Sequence, residues 1–154
     1  NSYARENFAS ATTAAKKLSV QVAEHGVKSA DELKATFSSL KSEPGTGIFQ
    51  VPDDLVESEA ELLFETARRL KLPTMFNEES WAIAGAMAAY GPDYLDMGQR
   101  AATLIDKILK GSNPASLPVE AANKFDLTIN YRTANFIGFP PPPAILKRAN
   151  KVIR

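Results

Sequence analysis

The chain has 154 residues, 44% of them hydrophobic and 23% charged, which suits one globular domain with a sizeable core. Its 18 Lys and Arg residues balance 18 Asp and Glu residues, so no global field favours nucleic acid or an anionic membrane. With no cysteine the chain has no means for disulfides, thiolate metal sites or a cysteine nucleophile, and its one histidine, His25, disfavours a His-based metal site or a Ser-His-Asp triad.

Taken in order, residues 2–17 are Ala-rich with Tyr3, Phe8 and Leu18 as bulky apolar positions, which predicts a helix with a modest apolar stripe. Residues 19–26 alternate Val20 and Val22 with polar neighbours and stop at Gly26, the pattern of a half-buried strand. Ser29 followed by Glu32 is a capping-box pair for a helix over about 30–41, with Leu33, Phe37 and Leu40 at helical spacing. A turn at 44–47 leads into a short apolar strand ending at Pro52. Asp53 and Asp54 then suit the start of one helix running to about Leu70. Its apolar face is Leu55, Leu62, Leu63, Ala67 and Leu70, and its polar face includes Glu57, Glu61 and Glu65.

Residues 72–102 organise the rest. They read as a strand at 74–76, an acidic loop opening a short helix, a second strand, a Gly91-Pro92 turn and a helix over about 92–110. That helix carries Leu95, Gly98, Ala102, Ile105 and Leu109 along one side, and Gly111 suits its C-terminal cap. An irregular stretch precedes a strand at 124–130, and Asn130 suits the cap of a helix at 131–137. The proline run 140–143 must be extended, and a closing helix carries Ile145, Leu146, Ala149, Val152 and Ile153. Strands and helices alternate almost strictly, which predicts an α/β fold, a three-layer αβα sandwich around a mainly parallel sheet.

In such sheets ligands collect where strand C-termini meet the following loops. The candidate positions are therefore 51–54 and the loops bearing Asn77, Glu78, Glu79, Trp81 and Tyr90. The acidic residues Asp53, Asp54, Glu78 and Glu79 suit either general acid–base work or helix capping. Trp81 and Tyr90 suit either the core or ligand stacking, and Arg100 and Arg132 either a ligand carboxylate or a solvated face. No Gly-rich phosphate loop and no nucleophile elbow occurs, so no cofactor is expected.

The second two-thirds of the chain carries a dense set of motifs. They are Gly85, Tyr90-Gly91-Pro92, Gly98-Gln99-Arg100-Ala101-Ala102, Ile108-Leu109-Lys110-Gly111, Pro114-Ala115 and Leu117-Pro118-Val119-Glu120. Lys124-Phe125, Ile129-Asn130, Thr133-Ala134 and Ile145-Leu146 follow. Over roughly 51–153 this register resembles the C-terminal part of ABC-transporter substrate-binding proteins of the tryptophan-binding-like family.

The resemblance implies one lobe of a type I periplasmic binding protein, a non-enzymatic extracytoplasmic receptor that clamps a small solute, such as an aromatic amino acid, between two lobes. It implies an ABC permease as partner and no nucleic acid. Within it, Asp53 or Glu78 is placed to receive an α-amino group. Phe76, Trp81 and Tyr90 are placed to pack an apolar side chain, and Asn77 belongs to the same grip. Residues 1–154 would be the C-terminal lobe, with about 86–124 as crossover material packing on the other lobe. A family member is about twice this length, so the expectation is a fragment, completed by its N-terminal lobe or by a swapped copy of itself. A sensor domain passing closure to a signalling partner is the alternative on the same fold, and a flavodoxin-like enzyme is a third reading.

Overall fold

The computed structural model describes residues 2–154, with side chains from Ala4 onward. The apolar position expected at Tyr3 lies outside the described side chains. The chain forms α1 (Ser2–Lys17), α2 (Ala30–Ser39), β1 (Ile48–Phe49), α3 (Asp54–Ser58), α4 (Ala60–Leu70), β2 (Thr74–Phe76) and α5 (Glu79–Ala84). It continues as β3 (Ala88–Pro92), α6 (Tyr94–Leu109), β4 (Phe125–Asn130), α7 (Tyr131–Ile137), α8 (Pro143–Arg148) and β5 (Lys151–Ile153).

The five strands lie in the order β1-β2-β3-β4-β5. The pairs β1/β2, β2/β3 and β4/β5 are parallel, whereas β3 and β4 pair antiparallel from Ala88↔Ile129 to Pro92↔Phe125. The mainly parallel α/β expectation therefore holds. The antiparallel pair arises because the chain leaves the sheet along β3, turns through α6 and returns along β4.

The core lies between the first strands and their helices. Leu33 and Phe37 of α2, Ala60, Leu63 and Phe64 of α4, Phe76 of β2 and Ala86 form one buried cluster. The Ser29 cap forms, with Ser29 Oγ accepting from the Glu32 amide at 3.2 Å, but the reciprocal bond reaches one residue further back, Glu32 Oε2 accepting from the Lys28 amide at 2.8 Å rather than from Ser29.

Four sequence expectations are corrected. Residues 19–26 form no strand, and Val20 and Val22 are 56% and 43% exposed. Alternation specifies a strand only when another strand supplies the ladder, and β1 pairs with β2 alone.

The single helix expected over 54–70 is broken at Glu59, where the backbone leaves helical geometry (φ −113°, ψ 23°). Ser58 Oγ donates to the Leu55 carbonyl beside that break, a local bond that competes with the helix ladder. Gly91-Pro92 is not a turn but the end of β3, and Asp93 caps α6 by accepting from the Asp96 amide at 2.9 Å.

The closing helix ends at Arg148, and Val152 and Ile153 belong to β5. Asn150 redirects the chain there: its amide donates to the Leu127 carbonyl at 2.8 Å, and its Oδ1 accepts from the Leu127 amide at 2.9 Å. Two bonds to one residue of β4 set the register in which β-branched Val152 and Ile153 pair.

Candidate functional site

The C-terminal ends of β1 and β2 lie side by side, because the Gln50 amide donates to the Met75 carbonyl at 3.0 Å. Two loops leave from there, 50–54 and 77–79. Asp53 caps α3, with Oδ1 accepting from the Leu55 amide at 3.0 Å, so the capping reading of this residue holds. Glu78 also occupies a cap position, before α5, yet its side chain caps nothing. Its Oε1 instead accepts from the Tyr94 hydroxyl at 3.0 Å, and its Oε2 from the Ser80 hydroxyl at 3.4 Å. Tyr94 opens α6, so Glu78 ties the strand-end loop to the start of the segment that leaves the sheet.

Glu57 stands between the two loops. Burial raises its carboxyl above the ordinary 4.5, opposed by the hydrogen bond from Gln50 and reinforced by the charges of Glu78, Asp54 and Asp53. Sequence reasoning placed Glu57 on the solvent face of a helix. The overlooked signal was its spacing, three and four residues after Asp54 and Asp53, which returns it to the side of the helix on which those acids lie. Gln50 was overlooked as well. It is a polar residue inside an apolar strand run, 3% exposed, with Nε2 donating to Glu57 Oε1 at 3.4 Å and Oε1 buried without a partner. Asn77 Oδ1, at the end of the neighbouring strand, is likewise buried without a donor.

The aromatic candidates separate. Phe76, expected to pack against an apolar ligand group, is 1% exposed and belongs to the core cluster. Strand alternation turns Thr74 and Phe76 to the same, helix-covered face, so Phe76 supports the loop from beneath. Trp81 is half-buried, its ring 5.7 Å from Phe76 and 6.4 Å from Phe64 between centroids. Tyr90 is 51% exposed and stacks on Phe125 across the β3/β4 pair, with centroids 5.7 Å apart. Its neighbour Gly91 faces the Asn77 loop, so Tyr90 projects from the opposite face of β3. The structure thus gathers Asp53, Asn77, Glu78 and, unexpectedly, Gln50 and Glu57, while Tyr90 belongs to the ribbon leading to α6.

That ribbon is braced at its far end. Arg100 of α6 donates from Nε and Nη2 to Glu120 Oε2 at 2.9 and 2.6 Å, from Nη1 to Asn123 Oδ1 at 2.9 Å, and from Nη2 to the Ala121 carbonyl at 3.0 Å. Arg100 is therefore a strut between the outgoing helix and the returning segment. Along α6 itself no described residue is buried, and Leu95, Met97, Ile105, Ile108 and Leu109 are all exposed. A groove of about 400 Å³ between α2 and α4, lined by Lys34, Phe37, Leu62 and Arg69 among others, contains none of the strand-end residues.

A family model described as ABC transporter substrate binding protein matches residues 3–153. A tyrosine-binding protein of Clostridioides difficile is 30% identical over 120 residues, covering 77% of this chain and 34% of that protein. Among solved structures, a conserved domain protein from Vibrio cholerae aligns with a TM-score of 0.82 at 28% identity, over 97% of this chain and 50% of the other. The ABC domain from Streptococcus pneumoniae in complex with L-Trp aligns with a TM-score of 0.80 at 23% identity, again over 97% and 50%. The chain spans about half the length of these solved relatives and 34% of the curated one.

Proposed function

This chain belongs to the family of ABC transporter substrate binding proteins, and from that premise we propose that it is the C-terminal lobe of a receptor delivering an amino acid, foremost an aromatic one, to an ABC permease. It would work outside the cytoplasm, as a binding protein without turnover. Residues 86–124 would form the crossover to the second lobe, which the exposed apolar side chains of α6 would meet.

The observation that carries this reading is the convergence of polar groups at the ends of β1 and β2. Asp53, Glu57 and Glu78 supply negative charge, and Gln50 and Asn77 hold buried acceptors without donors. An amino acid offers what such a set requires, a donor-rich ammonium beside an apolar body. Trp81, resting on Phe64 and Phe76, gives that body a rigid aromatic wall. Glu78, bonded to Tyr94 of α6, is where ligand contact would reach the hinge, and differential contact between open and closed lobes would drive closure.

A thermal-shift screen of the common amino acids on the intact protein tests the reading. Stabilisation of about 2.7 kcal/mol at a hundredfold excess over Kd is expected for an aromatic amino acid. Trp81→Ala and Glu78→Gln should each diminish it. No stabilisation by any amino acid, or consumption of the amino acid on incubation, would count against it.

A further inference from the structure

We infer that Gln50 and Glu57 together form the ammonium-binding subsite of the strand-end cleft, taking a primary ammonium group between the Gln50 carboxamide oxygen and the Glu57 carboxylate. This rests on the amino-acid reading above and moves the charge-recognising role from Asp53 and Glu78 to a residue pair outside the expected site.

The other acids of the cleft already hold donors. Asp53 accepts the Leu55 amide, and Glu78 accepts the Tyr94 and Ser80 hydroxyls. Glu57 accepts only the long 3.4 Å bond from Gln50 Nε2 among the side-chain bonds at the site. With its nitrogen toward Glu57, the carboxamide leaves its oxygen buried without a donor. A buried acceptor costs about 1–3 kcal/mol when left unpaired, and Gln50 is 3% exposed.

A partner for the oxygen must donate, and one that also meets the adjacent Glu57 carboxylate gains from carrying positive charge. An ammonium has three donors and no acceptor, so it satisfies Gln50 Oε1 and Glu57 at once. Among the described residues no group of three or more acids, histidines or cysteines is arranged to hold a metal ion, which favours an organic donor. Toward the ammonium itself, Asp53, Asp54 and Glu78 would then contribute field rather than contact, since their charges all bear on Glu57.

The test is calorimetry on the intact protein with paired probes: L-tryptophan against indole-3-propionate, and L-tyrosine against 3-(4-hydroxyphenyl)propionate. Each pair differs by the ammonium alone. Glu57→Gln should weaken the amino acid by about tenfold or more and leave its deaminated partner unchanged. Gln50→Met, which keeps the volume and removes the oxygen, should do the same. Equal weakening of both members of a pair, or an unchanged affinity for the amino acid, overturns the subsite. If neither amino acid binds the wild-type protein, the functional reading fails and carries this inference with it. If one binds and both variants bind it equally well, this inference alone fails.

Discussion

A Cβ built on Gly91 would stand 1.7 Å from the carbonyl oxygen of Asn77. The loop that carries Asn77 and Glu78 therefore lies directly on the strand that leads out to α6, and only hydrogen at position 91 permits it. The backbone at Gly91 has no unusual conformation in play. The constraint is one of space, so relief requires the loop to move.

Gly91→Ala should lift the Asn77 loop from β3. Overpacking of this kind costs about 1–3 kcal/mol, and chemical denaturation will measure it. A loss of amino-acid affinity beyond the loss of stability is expected, because the displaced residues are those of the grip.

Tyr94→Phe removes the hydroxyl that holds Glu78 Oε1. The pair is exposed, so a stability loss of only about 0.5–1 kcal/mol is expected. The effect on ligand should be larger than that on melting temperature, because Glu78 loses the bond that ties it to α6. Melting curves with and without L-tryptophan separate the two.

Asn130→Ala should be the most damaging single change among these. Its Oδ1 caps α7 at the Thr133 amide (3.0 Å), and its Nδ2 reaches the buried Ala82 carbonyl of α5 at 2.8 Å. Losing a cap and stranding a buried acceptor together cost about 2–4 kcal/mol. Urea unfolding with an unchanged m-value would assign the loss to the native state.

The raised carboxyl of Glu57 gives pH two opposite effects. The folded protein holds that proton more tightly than the unfolded chain, so the associated stability is full below the ordinary value of 4.5. It is lost as pH rises through the folded value. Binding of an ammonium requires the ionised form, so affinity for L-tryptophan should rise across the same interval. The Glu57-dependent parts of stability and affinity, read as the difference between wild type and Glu57→Gln, should move in opposite directions as pH rises above 4.5.

Much of the fold was legible because local signals and tertiary structure agree. Ser29 with Glu32, Asp53 before α3 and Asn130 before α7 each combine a cap with a helical pattern, and all three form as the sequence implies. Residues 19–26 were misread because Val20 and Val22 give only a period, and pairing depends on a neighbour that the period does not specify. Val152 and Ile153 were misread for the complementary reason, since Asn150 creates a strand by bonding to Leu127 far along the chain.

At the candidate site, position gave the two loops but not which side chains serve them. Phe76 was picked for its place at a strand end, and strand alternation turns it toward the helix-covered face, where it is 1% exposed. Glu57 was assigned to solvent by its charge, although its spacing from Asp53 turns it toward the cleft. Gln50 stands out in sequence only as a polar residue inside an apolar strand run, and its orphaned oxygen shows only in the fold.

The most direct test of the strand-end grip is calorimetric titration of the intact protein with L-tryptophan and L-tyrosine, alongside Asn77→Ala and Glu78→Gln. One-to-one binding in the micromolar range or tighter, about −8 kcal/mol, is expected for at least one amino acid, weakened about tenfold or more in each variant. Binding of undiminished affinity in both variants would place the amino acid elsewhere and contradict the account.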